Sequence, residues 1–388
     1  MSQRPIVILT ATAGAGHNIA AKAIYDAFGL LAPGVPVELH DVLEFCPAPF
    51  RALYSGGYAG LIAHAPRVFG CLYDAVDRPG RGPAEFIRLL IQNGSTGGVR
   101  RYLCRTRPRL VINTQFLPAE IVARQRRRGV LECPQWTVLT DFEAFRLWIQ
   151  PPTERYYVGS PLAAQYLYAG GVPAEAIHEV GIPIRPAFWS PLDRKAMRLR
   201  HALVPDRPVV LVSCGRGGRR PLRMAEALAE VRSDAQIVLV AGRDERLRAR
   251  LEARWSSQAP RVRVLGHTDL MHEWMHAADV LVSKPGGLTS AEALACRLPL
   301  VIVDPIPGQE TRNSDYLLEQ GVAIKVNALR LLSARVNQVL SEPRTLAAMR
   351  EAAGRLARPR AAWQIVSDAL GLPGHEAPAR PEPVAALT

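Results

Sequence analysis

Apolar residues recur along the chain in short unbroken runs, each followed by small or polar residues and then by a stretch with helical spacing. The first run is "PIVILT" (residues 5–10), followed by the loop "ATAGAGH" and by "NIAAKAIYDAFGLL". A run without polar alternation is the pattern of a parallel strand covered on both faces. "VPVELHDV", "RLVINTQF" and "QWTVLTDF" predict three more strands, the last two ending in Asn113, Thr114 and Gln115 and in Thr140 and Asp141. Ligands of such sheets gather at the carboxyl ends of the strands. The pattern then restarts with "RPVVLVSCGRGG" and the helix "PLRMAEALAEV", and continues through "AQIVLVAG", "RVRVLG", "DVLVSKPGG" and "PLVIVDPIPGQ". Between the two series, "IHEVGIPIRPAFWSPLDR" has no clear period and is broken by prolines, which predicts a linker near 184–195. We expect two doubly wound α/β domains, residues 1–190 and 191–371, with the default site in the cleft between them. The Pro- and Ala-rich tail, 372–388, reads as disordered.

Residues 50–77, "FRALYSGGYAGLIAHAPRVFGCLYDAVD", depart from this pattern. They are aromatic and aliphatic, interrupted by glycines, with Arg51 and Arg67 inside. One reading is two amphipathic helices packed on the core. The other is a partly exposed greasy face with basic neighbours that settles on lipid headgroups. No apolar run reaches the roughly 18 residues that span a bilayer, so the chain is expected to be soluble or to lie on a membrane. The formal net charge of +13 comes almost entirely from arginines spread through both halves. Such a balance suits an anionic partner, whether nucleic acid, phosphate-bearing substrate or lipid surface, although biased codon usage gives the same count. No reading surface of interleaved aromatic and basic residues is evident, which argues against nucleic acid. The six cysteines lie far apart, without zinc or Cys-x-x-Cys spacing, and read as reduced, mostly buried residues of a cytoplasmic protein.

The densest chemistry lies in "SKPGGLTSAEAL" (residues 283–294). A strand leads through Pro285, Gly286 and Gly287 into a helix starting around Leu288. The end of such a helix exposes unpaired N–H groups and the positive pole of the dipole, and glycines let a diphosphate approach it. Glu292, about one turn in, could accept hydrogen bonds from a ribose diol; a plain strand-to-helix turn explains the same residues. After the next strand, "DPIPGQETRNSDYL" places Gln309, Glu310 and Asn313 where amide and carboxylate groups could hold sugar hydroxyls; helix capping by Thr311 or Asn313 is the simpler alternative. No Asp-x-Asp pair occurs, so neither a carboxylate-bound metal nor another cofactor is expected. His17, in the first glycine loop, is the natural general base, with Asp141 as an alternative base or as its orienting partner. Both also have plain helix-capping readings.

"KPGGLTSAEALACRLPLVIVDPIPGQETRNSDYLLEQG" resembles the nucleotide-sugar end of family 28 glycosyltransferases, especially the bacterial processive diacylglycerol glucosyltransferases and the plant-type monogalactosyldiacylglycerol synthases. "TATAGAGHNIAAKAI", "TDFEAFRLW", "GIPI" and "VSCGRGG" are similar to further segments of that family, so that only about the last fifteen residues fall outside the likeness. The resemblance implies a GT-B fold of two Rossmann-like domains facing a central cleft, with the C-terminal helices packing back on the first domain. It also implies a hexose, glucose or galactose, moved with inversion from a UDP-sugar to diacylglycerol or a glycolipid. On this likeness Gly286 and Gly287 meet the diphosphate, Glu292 the ribose, and Gln309, Glu310 and Asn313 the sugar. Gly266 and His267 meet the uracil edge, and Gly215 and Gly217 pass close to the phosphates. Gly14, Gly16 and His17 line the acceptor side.

Three residues depart from the family's pattern. Thr12 stands where plant-type enzymes carry Asp, Phe145 where the T-D-x-x-x-H segment has His, and Arg216 where relatives carry Glu or Gln. The expectation is a peripheral enzyme on the cytoplasmic side of the cell membrane, touching an anionic surface. A polyprenyl-linked or small-molecule acceptor, a UDP-sugar 2-epimerase of the same fold and a surface-binding module without catalysis stay open as alternatives.

Overall fold

The computed structural model describes residues 4–12, 14–77, 88, 91–92, 94–215, 220–232, 234–258 and 261–372. The tail expected from 372 therefore lies, from residue 373 on, outside the described residues. Contacts divide the chain into two units. The first comprises Met1–Trp189, Pro307–Gln309 and the chain from Arg358; the second comprises Ser190–Ile306 and Glu310–Ala357.

The first unit holds a parallel sheet in the order β2-β1-β3-β4-β5-β6. Its strands are β1 (Ile6–Thr10), β2 (Val37–Asp41), β3 (Leu110–Asn113), β4 (Gln135–Val138), β5 (Arg155–Val158) and β6 (Ile177–Glu179). Ile6 of β1 pairs with Val37 on one side and Leu110 on the other. Successive side chains of a strand point to opposite faces. Ile6 and Ile8 enter a cluster with Ile24 and Phe28, while Val7 and Leu9 enter another with Leu43, Leu103, Leu117 and Ile121. Both faces of β1 are thus covered, which is why its sequence shows no polar alternation. Ile6, Val7, Ile8 and Leu9 are fully buried, and each such side chain contributes about 2 kcal/mol.

The helix Ala361–Leu370 joins the first of these clusters through Ala362, Ile365 and Val366. Its Asp368 accepts from Tyr157 Oη at 2.7 Å and from Arg155 Nη1 at 2.9 Å. An apolar stripe on one side and a carboxylate on the other tie this helix to the first unit. The sequence-based second domain, 191–371, is accordingly shortened: the second unit ends at Ala357.

The second unit holds a parallel sheet in the order β12-β11-β10-β7-β8-β9. Its strands are β7 (Val209–Ser213), β8 (Gln236–Val240), β9 (Val262–Leu265), β10 (Val280–Ser283), β11 (Leu300–Val303) and β12 (Ala323–Val326). Val210, Val212, Ile237, Leu239, Val280, Val282, Val301 and Val303 form its core. In each sheet the direction of winding reverses once, between β1 and β3 and between β7 and β10. Connections leave those neighbouring strands toward opposite faces, which opens a crevice at their carboxyl ends.

Residues 48–77 fold as helices Ala48–Arg51, Gly57–His64 and Pro66–Asp77, with a π-helical turn at Ala52–Gly56. Part of this stretch packs on the core and part is exposed. Phe50 is buried, whereas Leu53, Val68 and Leu72 are 63%, 52% and 51% exposed. Among the described residues no helix is long and apolar enough to cross a membrane.

Candidate active site

In the first unit, β1 ends at Thr10 and the helix Gly16–Leu31 begins after one short loop. Gly14 turns that loop with φ +99°, a left-handed backbone that residues with a Cβ rarely adopt. His17 is the second residue of the helix, so it does not cap it. The ring reaches across the reversal point to the loops after β3 and β4. Nδ1 lies 3.1 Å from the carbonyl oxygen of Thr114 and 2.7 Å from Thr140 Oγ1. The Thr114 hydroxyl donates back to the His17 carbonyl at 3.1 Å. Because a carbonyl can only accept, Nδ1 carries the proton, and the neutral ring has its lone pair on Nε2.

His17 is 8% exposed. Burial pulls its pKa below the ordinary 6.5, against the opposing pull of the Asp141 carboxylate and the Thr114 carbonyl. The ring is therefore neutral near pH 7, the form a general base requires. Asp141 follows Thr140 directly and is 2% exposed. Gln309, grouped with this unit, donates from Nε2 to Asp141 Oδ2. Gly308 before it has φ +88°, and a Cβ there would lie 2.8 Å from Tyr73 Cγ, so glycine is required twice over.

In the second unit, Gly286 is the extended N-cap of the helix Gly287–Ala295, which starts one residue earlier than the pattern suggested. A Cβ on Gly286 would meet nothing within 4 Å, so the backbone faces open space ahead of the free N–H groups of the first turn. Glu292 is 7% exposed, and the Ser290 hydroxyl is buried without a hydrogen-bond partner. Across the reversal point, Gly215 follows β7 with φ +71° and open space around it. Gly217 and Arg216 lie outside the described residues. Gly266 follows β9, and His267 beside it is half-exposed, 3.6 Å from Asp269. In the helix Gln309–Glu319, Asn313 is fully buried. Glu310 accepts from the Ile306 N–H at 2.7 Å, which commits one of its oxygens to the loop. Loop tightness is also visible at Asp304, whose φ of +45° is unusual for a residue with a Cβ.

The sequence-predicted residues thus fall into two sets, each at the carboxyl ends of one sheet. His17, Asp141 and Gln309 converge in the first unit. Gly215, Gly286, Gly287 and Glu292 flank the reversal point of the second, with Gly266 and His267 on its outer strand. Residues 17–184 match the family model of monogalactosyldiacylglycerol (MGDG) synthase, and residues 198–356 match that of glycosyl transferases group 1. The processive diacylglycerol β-glucosyltransferase of Bacillus subtilis strain 168 is 30% identical over 353 residues, 90% of each chain. The chain belongs to the processive diacylglycerol β-glucosyltransferase family. The namesake from Staphylococcus saprophyticus is 24% identical over 375 residues, 96% of this chain and 94% of that one. A solved structure of S. aureus MnaA with UDP shares the fold, with TM-score 0.61 at 12% identity over 96% of this chain and 99% of that one.

Within this glucosyltransferase family two of the three departures, Phe145 and Thr12, acquire local explanations. Phe145 packs against Tyr73, Phe116 and Trp148, at ring-centroid distances of 4.8, 5.5 and 6.3 Å, so an apolar cluster fills that position. Thr12 is bonded to a carboxylate: its N–H and Oγ1 both donate to Asp41 Oδ2. Asn18 links the same loop to itself, accepting from Thr10 Oγ1 and donating to Thr12 Oγ1, both at 2.8 Å. The sequence reading missed Asp41 and Asn18. The only signal for Asp41 was its place at the end of a strand, and the Thr114 carbonyl that fixes His17 is main chain and leaves no mark in the sequence at all.

Proposed function

We propose that this glycosyltransferase moves glucose from UDP-glucose to diacylglycerol or its glucosylated product at the cytoplasmic membrane surface, with inversion at the anomeric carbon. The observation that carries this reading is the buried, neutral His17 with its proton on Nδ1, in a chain of the glucosyltransferase family. Nε2 takes the proton of the acceptor hydroxyl as the oxygen attacks C1 of the sugar. Attack opposite the diphosphate turns an α-linked donor into a β-glycoside. The free N–H groups and dipole of the Gly287–Ala295 helix stabilise the departing diphosphate, and Glu292 binds the ribose. No tightly bound metal is needed for that stabilisation. Glucose is favoured over galactose because the relatives are named glucosyltransferases. Exposed Leu53, Val68 and Leu72, on the same segment as exposed Arg51 and Arg67, support contact with a lipid surface.

The test is to supply UDP-glucose or UDP-galactose with diacylglycerol in vesicles and to follow lipid products by mass and anomeric proton coupling. The reading expects β-glucosyl lipid from UDP-glucose. Sugar isomerisation or UDP release with no glycolipid formed would refute it.

A further inference from the structure

The strands β1 and β2 end side by side, with Thr10 paired to Asp41. The Asp41 carboxylate serves two elements. Its Oδ1 accepts from the Leu43 N–H at 2.9 Å and so caps the short helix Val42–Phe45. Its Oδ2 accepts from the N–H of Thr12, at 3.1 Å, and from the Thr12 hydroxyl. The edge strand of the sheet thus grips the glycine loop that leads to His17.

The charge of Asp41 sets the direction of every hydrogen bond beyond it. A carboxylate can only accept, so the single hydrogen of Thr12 Oγ1 points at Asp41. Thr12 Oγ1 then accepts from Asn18 Nδ2, at 2.8 Å. That orients the Asn18 amide, whose Oδ1 accepts from Thr10 Oγ1 at 2.8 Å. Donors run in one sense, from Thr10 through Asn18 and Thr12 to Asp41, and no two groups compete for a proton. Asn18 is the neighbour of His17 in the first turn of the helix Gly16–Leu31. The N-cap of that helix, Ala15, makes no side-chain hydrogen bond, and such an end frays readily. Two side chains hold it instead, on opposite sides of the reversal point. His17 reaches the loops after β3 and β4, and Asn18 reaches back to β1 and, through Thr12, to β2.

We propose that Asp41 is a positioning residue of the transfer site: through Thr12 and Asn18 it keeps the first helical turn, and so the His17 ring, aligned with Thr114 and Thr140. This role presupposes His17 as the base of the proposed reaction. It calls for a loss of turnover without a loss of nucleotide binding when the link is cut.

The decisive variant is Thr12→Val. Thr12 is exposed, the new side chain has nearly the same shape, and the cap that Asp41 gives to Leu43 stays intact; only the hydroxyl that joins Asp41 to Asn18 is gone. Thr12→Ser returns that hydroxyl. Asp41→Asn tests the carboxylate itself, since one amide oxygen cannot serve both Leu43 and Thr12. Imidazole nitrogen NMR of the full chain reads tautomer and titration without any turnover, the His17 signals being assigned by their absence in His17→Ala. In the wild type the proton sits on Nδ1 and the ring titrates below 6.5. In Thr12→Val and Asp41→Asn the freed turn exposes the ring, so mixed tautomers appear. The titration then rises toward 6.5, because burial is the largest influence on this group and the Asp141 carboxylate still favours the cation. On the same preparations kcat for glucosyl transfer is expected to fall about ten-fold or more, with UDP affinity unchanged, and Thr12→Ser to recover both the signals and the rate. His17 signals alike in wild type and Thr12→Val would overturn the inference and leave the base role standing. Moved signals with an unchanged rate would refute His17 as the base, and Asp41 would then position nothing that the reaction uses. Failure of Thr12→Ser to recover the signals would show that the hydroxyl is not the link, and would also overturn the inference.

Discussion

Replacing Thr140 by Val removes a hydroxyl that lies 2.7 Å from His17 Nδ1 while keeping nearly the same shape. On the proposed mechanism His17 becomes an imidazolium as Nε2 takes the acceptor's proton. Nδ1–H then donates from a charged ring to the Thr114 carbonyl at 3.1 Å and to Thr140 Oγ1. A hydrogen bond from a charged group contributes about 2 kcal/mol, so losing it should lower kcat about 30-fold. Removing an acceptor that favours the charged ring also depresses a pKa that burial already holds below 6.5. The acid limb of the rate profile should therefore move to lower pH even as the plateau falls. Initial rates of glucosyl transfer across pH, at saturating donor, read both effects. Thr140→Ser should restore most of the rate and return the limb toward its wild-type position. An unchanged kcat, or a loss of rate with the limb unmoved or shifted upward, would refute the argument that Thr140 supports a protonated His17.

Glu292→Ala should weaken UDP binding at least several-fold in calorimetry, and unchanged affinity would remove the ribose assignment. Gly308→Ala should cost about 2 kcal/mol in chemical unfolding, because φ is +88° and the new Cβ would lie 2.8 Å from the Tyr73 ring; a neutral result would show that Tyr73 yields. Burial lowers the pKa of His17, His178, His201 and His276 in the folded chain. Below about pH 6.5 the unfolded chain thus binds more protons, and stability should fall as pH falls through that value and below. A thermal midpoint that rose over the same range would contradict the sign. Chelation with EDTA should leave the transfer rate unchanged, and a loss restored by Mg²⁺ would oppose the metal-free stabilisation of the diphosphate.

Strands were the most legible part of the chain, because a strand covered on both faces must be continuously apolar, as β1 and β10 are. Glycine loops were legible for a related reason: Gly14 and Gly215 adopt positive φ, which few other residues tolerate. The extent of each unit was less so. The helix Ala361–Leu370 follows the second sheet in sequence but packs on Ile24 and Phe28, as the family resemblance implied; its apolar stripe alone does not say which core it will meet. Among the candidate residues, His17 stood out through its setting in a glycine loop. Its tautomer did not, since it depends on the carbonyl of Thr114, nearly a hundred residues away in sequence. Glu310 read as a sugar ligand, yet one of its oxygens caps the Ile306 N–H, a local demand that residue type alone cannot reveal.

The central claim is that His17 carries the proton transfer while the nucleotide is held elsewhere. It is tested most directly by measuring UDP affinity and glucosyl transfer to diacylglycerol on the same preparation of His17→Ala. The account predicts wild-type UDP binding with transfer lost. Transfer at the wild-type rate would contradict it.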